Sequence, residues 1–156
     1  MNKKQKSLTN KGFSLVELII VIAIMAVLIG VLAPQFIKYV EQSRKSTDIQ
    51  NAENIKTAVL ADIADGNITG SGTLAFSGTL TKDASGIVTS LGASTITSSE
   101  TPKVQGNLVN HGGNFTVTWD AVAGTCHVYP ESGNTRYDLT DSTAAGNYKA
   151  DTTPRT

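Results

Sequence analysis

Cysteine is nearly absent: Cys126 is the only one in 156 residues, which excludes an intramolecular disulfide and leaves packing or assembly to hold the fold. Aromatic residues make up 6% of the chain and charged residues 17%, less charge than an ordinary soluble domain carries. No charged residue stands between Glu17 and Lys38. The apolar residues are concentrated there, in a block from Leu18 to Ala33, and the remainder is rich in Gly, Ser and Thr. A compact soluble enzyme fits this distribution poorly. No Gly-rich phosphate loop and no cluster of metal-binding carboxylates is present, so neither a cofactor nor a metal is expected.

Net charge is zero, with 13 basic and 13 acidic residues. Four of the basic ones, Lys3, Lys4, Lys6 and Lys11, fall in the first eleven positions. Without that segment nine basic residues face 13 acidic ones, and a mildly acidic chain lacks the clustered positive surface that phosphate neutralisation needs. Nucleic acid is therefore not an expected partner.

The basic start followed by an apolar run has the outline of a secretory signal. The run from Phe13 to Ile37 is too long for one: about 25 residues, or about 37 Å of helix, spans a bilayer. The small-residue site at its far end, Val31-Leu32-Ala33, is followed by Pro34. A membrane anchor is favoured over a cleaved signal of the ordinary kind. Glu17 is the exception within this anchor, since a carboxylate at membrane depth costs about 3 kcal/mol or more unless it is solvated at the headgroups or paired. Cutting the chain after Gly12 would create a free amine on Phe13, one helical turn away, that could neutralise it.

These residues carry a resemblance. Gly12-Phe13-Ser14-Leu15-Val16-Glu17-Leu18, followed by a long apolar helix, resembles the class III signal of type IV pilins and pseudopilins: a short basic leader ending in Gly, then Phe, three residues, Glu and a hydrophobic helix. Pro34 matches a proline common in that helix. The resemblance implies that a prepilin peptidase cuts between Gly12 and Phe13 and methylates the new amine, making Phe13 N-methylphenylalanine. It also implies that Glu17 meets the amine of a neighbouring subunit as a helical filament of identical subunits assembles. The implied partners are that peptidase, the inner-membrane assembly platform and its ATPase. The implied location is the cytoplasmic membrane for the precursor and the cell surface for the assembled pilus.

The physics of such assembly follows from solvent exchange. Lipid satisfies the apolar helix before assembly, and matching helices of neighbouring subunits replace lipid afterwards. Ala23, Ala26, Gly30 and Ala33 are small enough to allow close helix approach. Pro34 cannot donate to the Gly30 carbonyl and clashes with it, and Gly30 is itself a poor helix residue, so a kink or unwound stretch is expected between them. Related filaments melt locally before this proline; at Ala26 this chain lacks a glycine that some relatives have.

Beyond Pro34 the apolar residues Phe36, Ile37, Val40, Ile49, Ala52, Ile55, Val59 and Ile63 recur at helical spacing among Lys38, Glu41, Arg44, Lys45, Asp48, Glu53, Lys56 and Asp62. The helix is expected to continue as an amphipathic segment and to end at Asp65-Gly66-Asn67, with Gly66 in the left-handed cap conformation. Residues 66 to 101 read as a Ser/Thr/Gly-rich stretch, either a loop with a small hairpin draped over the helix or a partly disordered segment. Strands are expected at Asn114 to Asp120, with Phe115, Val117 and Trp119 on one face, at Thr125 to Tyr129, and at Thr135 to Leu139. These three form an antiparallel meander covering Ile55, Val59 and Ile63. Residues 141 to 156 read as an irregular tail with Tyr148 as a tie-down.

The expected fold class is thus α+β and type IV pilin-like: a long N-terminal helix and a small antiparallel β head. Its divisions are a leader at 1–12, a membrane and filament-core helix at 13–37, an amphipathic continuation at 38–65, and the loop region and head at 66–156. Chemistry in the head is thin. His111 lies at a Gly112-Gly113 turn, Cys126 and His127 are adjacent in a strand and face opposite ways, and the sequons at Asn67 and Asn114 are short enough to arise by chance. Asp138 and Asp141 lack the spacing of the calcium site found in major pseudopilins, and the missing cysteine pair departs from many pilins of double-membrane bacteria. A structural pilin subunit is the leading expectation, not an enzyme. A pseudopilin of a secretion or DNA-uptake apparatus is the alternative, and a membrane-anchored enzyme or binding protein is a third reading without a catalytic constellation behind it.

Overall fold

A computed structural model describes residues 12–93, 96, 101–106, 111–131 and 137–151. It has two compact units, one ending at Lys38 and one beginning at Tyr39. Helix α1 (Leu15–Ala64) runs without interruption and contains Pro34. The helical assignment continues through Gly30 to Pro34, so the isolated subunit has no unwound stretch there.

In the first unit the apolar side chains of α1 stand exposed. All residues from Gly12 to Lys38 are exposed, with Phe13 at 88% and Ile37 at 68%. In the second unit α1 turns an amphipathic face inward. Its buried line is Lys45, Asp48, Ala52, Ile55, Ala58, Val59 and Asp62, spaced by three and four as one face of a helix requires. Ile49 and Ile63 flank this line and are only partly buried. Sequence periodicity assigns Lys45, Asp48 and Asp62 to the polar face, and the structure corrects this: all three are buried, because polar partners, for Lys45 and Asp48 far along the chain, replace water.

Gly66, at φ 75°, ends α1 as expected. The Gly66 N–H donates to the Ile63 carbonyl at 3.0 Å and the Asn67 N–H to the Asp62 carbonyl at 2.8 Å, a Schellman cap. Ile68, just beyond the cap, is buried in the core.

The head is built on a three-stranded antiparallel sheet of β1 (Ser71–Ala75), β4 (Thr116–Asp120) and β5 (Thr125–Tyr129), in the order β1-β4-β5. A two-stranded hairpin, β2 (Thr81–Lys82) and β3 (Val88–Ser90), stands apart from it. The inner residues Phe115, Val117, Trp119, Cys126 and Val128 join Ala52, Ile55 and Val59 of α1 in one core. Gly72 is opposite Trp119, and a Cβ there would lie 2.7 Å from the indole ring, so glycine is required at that pair.

Two expectations fail. The third strand of the sheet is β1, not Thr135 to Leu139: residues 135 and 136 lie outside the described residues, and Leu139 gives one backbone bond, to the Val128 carbonyl at 2.9 Å. β1 instead pairs with β4, on the edge away from β5, where Gly72 admits the Trp119 ring, a long-range fit that local propensity does not signal. Second, the polar C-terminal stretch contains helix α2 (Ser142–Ala150), started by Asp141, whose carboxylate accepts from the Thr143 and Ala144 N–H groups. Tyr148 is fully buried on it, as a tie-down should be.

Candidate assembly and processing site

The segment Gly12-Phe13-Ser14 precedes the helix and is exposed. The helix begins at Leu15 for a local reason. The Glu17 carboxylate Oε2 accepts the Ser14 backbone N–H at 3.0 Å, and the Ser14 hydroxyl lies 3.4 Å from the Val16 N–H. This is a variant of the capping box, in which Glu17, three positions on, satisfies the Ser14 N–H while the Ser14 hydroxyl serves the Val16 N–H. The sequence signal of this role for Ser14, which the family resemblance does not carry, is the Ser-x-x-Glu spacing before an apolar run.

Glu17 therefore has a defined place one turn from Phe13. Its charge lies at the positive end of the helix macrodipole, which favours an anion there. Among the described residues no cationic side chain pairs with it. The remaining capacity of the carboxylate is available to an amine. Gly30 and Pro34 lie further along the same exposed helix, and no heavy atom outside the helix backbone comes within 4 Å of a Cβ built at Gly30.

The head's ionisable groups are engaged in structure. Cys126 is buried, and burial pushes its thiol up to about 12, which suppresses the reactive thiolate. His127, on the opposite face of β5, is exposed and its Nδ1 meets Asp138 Oδ2 at 2.6 Å. Burial raises the Asp138 carboxyl, but bonds from the Thr140 hydroxyl and N–H and from His127 outweigh it, and the net direction is down. Asp141 caps α2, so it and Asp138 hold separate partners. His111 Nδ1 lies 2.9 Å from the Gln105 carbonyl. Among the described residues no group of three or more His, Cys, Asp or Glu is placed to hold a metal ion.

Residues 8–33 match the family model of the prokaryotic N-terminal methylation motif. The type IV major fimbrial protein FimA of Dichelobacter nodosus is 35% identical over 60 residues, 38% of this chain and 38% of that protein. A second FimA of the same organism is 36% identical over 56 residues, 36% of each chain. The match thus spans well under half the length of these relatives. No solved structure matches.

Proposed function

From a chain that carries the type IV pilin N-terminus on a pilin-like α+β fold, we propose a structural subunit that polymerises through its N-terminal helix into a type IV pilus. The observation that carries this reading is the exposure of the whole apolar stretch from Phe13 to Ile37. At roughly 25 cal/mol per Å² of apolar surface, that helix demands a cover. The bilayer is that cover before assembly and the helices of neighbouring subunits are afterwards.

In this reading residues 1–12 are the leader, 13–37 the membrane and filament-core segment, 38–65 the amphipathic continuation and 66–156 the loops and head. Prepilin peptidase hydrolyses the Gly12–Phe13 peptide bond, leaving the Gly12 carboxylate on the leader and an amine on Phe13. Methylation of that amine keeps its positive charge. The charged amine of an incoming subunit pairs with Glu17 of one already in the filament, which removes an otherwise unpaired carboxylate from an apolar surrounding. Ser14 holds that carboxylate at the helix start until the amine arrives. Gly30 and Pro34 mark the weakest part of the helix ladder, where a bend accommodates packing. The assembly platform and ATPase supply the work of extraction from the membrane, and the head faces outward. FimA being a major fimbrial protein favours a pilus over a secretion pseudopilus.

Intact mass of this chain in filaments sheared from its native cells tests the proposal. Residues 13 to 156 plus one methyl group is the expected mass. A processed form retained in the membrane points to a pseudopilin instead. A chain starting at Met1, or cut after Ala33, overturns the pilin reading.

A further inference from the structure

The buried line of α1 begins with two charges, Lys45 at 2% exposure and Asp48 at 0%. Asp48 Oδ1 accepts the Gln105 N–H at 2.7 Å, and Oδ2 accepts the Gly106 N–H and the Tyr148 hydroxyl, each at 2.8 Å. The Lys45 ammonium donates to the Asp151 carbonyl and lies 5.4 Å from the centre of the Tyr148 ring. The Tyr137 hydroxyl donates to the Asp151 carboxylate, and the Tyr137 and Tyr148 rings meet edge to face. A Cβ at Gly106 would lie 2.5 Å from the Tyr148 hydroxyl and 3.0 Å from Asp48 Oδ2. One carboxylate thus ties α1, the 104–106 segment and the C-terminal segment into a closed polar knot.

Each partner is satisfied in one protonation state: ammonium at Lys45, carboxylate at Asp48, neutral phenol at Tyr148. The ionisable groups facing the knot are Glu41, Lys45 and Asp48 from α1 and Tyr137, Tyr148 and Asp151 from the C-terminal segment, while Gln105 and Gly106 present backbone N–H groups. Burial, then the Asp48 carboxylate, pushes the Tyr148 phenol up. Burial pushes the Lys45 amine down.

We propose that residues 137–151 form a strap that alkali releases from α1 by taking the proton of Tyr148, while the three-stranded sheet stays folded. The proton leaves as water on hydroxide. The phenol that donated to Asp48 becomes a second anion beside it, and no bond between them survives. In the released strap Tyr148 ionises as an ordinary phenol, near 10. The closed state keeps the proton, so release grows as pH rises above that value. Lys45 acts in the opposite sense, but only up to the ordinary amine value of 10.5. Release therefore belongs to the range above 10.5, at about tenfold in the open-to-closed ratio per pH unit for one proton.

The test is a short pulse of an amine-acylating reagent on the full chain in detergent micelles from pH 10.5 to 11.5, read by peptide mass spectrometry. Above 10.5 unburied amines are mostly neutral, so labelling of Lys45 relative to exposed Lys149 reads access. The expected result is a rise of about tenfold in that ratio across the interval, with fluorescence of Trp119, the sole tryptophan, still native. In Tyr148→Phe the ratio stays flat with pH, whatever its starting level. A flat ratio in the unaltered chain, an equal rise in the variant, or a rise that appears only as Trp119 fluorescence is lost overturns the proposal. If the variant does not fold, the unaltered chain's ratio against its Trp119 signal still decides.

Discussion

Glu17 accepts the backbone N–H of Ser14 at 3.0 Å, so the one carboxylate in the apolar stretch is also the cap that starts the helix. A residue read for its charge thus has a second, local task. The two tasks separate by substitution. Ser14→Ala removes the hydroxyl half of the capping box and keeps the carboxylate, at a cost of about 0.5–2 kcal/mol at the helix start. Backbone amide exchange at Val16 to Leu18 in micelles is expected to rise accordingly, with assembly reduced but present.

Glu17→Gln keeps the size and the acceptor oxygen and removes the charge. With the Phe13 amine of the incoming subunit then unpaired in an apolar contact, the penalty is about 3–5 kcal/mol per contact. Precursor cleavage after Gly12 is expected to continue while sheared filaments disappear. Normal filament yield from this variant would remove Glu17 from the assembly step.

Gly72 and Trp119 make a one-sided fit. Gly72→Ala places a methyl 2.7 Å from the indole ring, an overpacking that costs about 1–3 kcal/mol. Chemical denaturation followed by Trp119 fluorescence is expected to show a lower midpoint and a shifted native emission. A near-isosteric change on the opposite face, Thr73→Val, leaves both nearly unchanged, because Thr73 is exposed and gives up one surface hydroxyl bond, to Thr118.

The thiol of Cys126 gives an alkaline prediction of a different kind. Burial pushes it up to about 12, so the folded chain holds this proton where the unfolded chain has released it. Stability carried by the thiol is full below about 9 and declines as pH rises toward about 12, with a slope near 1.4 kcal/mol per pH unit. Cys126→Ala is expected to remove that part of the slope in urea titrations. At pH 8 the native thiol resists alkylation, and denaturant exposes it.

Asp138 supplies the acid counterpart. Its folded carboxyl lies below the ordinary value of 3.8, set by the Thr140 and His127 bonds acting against burial. The stability it contributes is present above 3.8 and is lost as pH falls through the lowered value. Asp138→Asn is expected to flatten the acid limb of the stability profile and to leave the C-terminal segment more open to protease.

Much of this molecule is legible along the chain because its cues are local. Capping needs only Ser14 and Glu17 three apart, helix termination only Gly66 at the end of a periodic run, and the face of β4 only the alternation of Phe115, Val117 and Trp119. α2 was missed although its Asp141 cap stands in the sequence, since its body, Ser142 to Ala150, is short and polar with no apolar stripe to announce it. The identity of the third strand was missed for a different reason. β1 and β4 are some 40 residues apart, so their pairing and the room that Gly72 leaves for the Trp119 ring have no local signal.

What the sequence determined by itself is the N-terminal segment: an apolar helical stretch with nothing in its own pattern to pack on, a carboxylate at its start, and a Gly–Phe junction before it. Spacing and composition suffice there because one helix satisfies its own backbone and leaves its side chains to the surroundings. Only the tertiary structure decided the fate of Lys45 and Asp48. Charges on a helix read as solvated until the chain brings them donors, and those of Asp48 come from Gln105, Gly106 and Tyr148, from 57 to 100 residues away. Burying a charge is costly without such partners and feasible with them, and no local pattern records where they will come from.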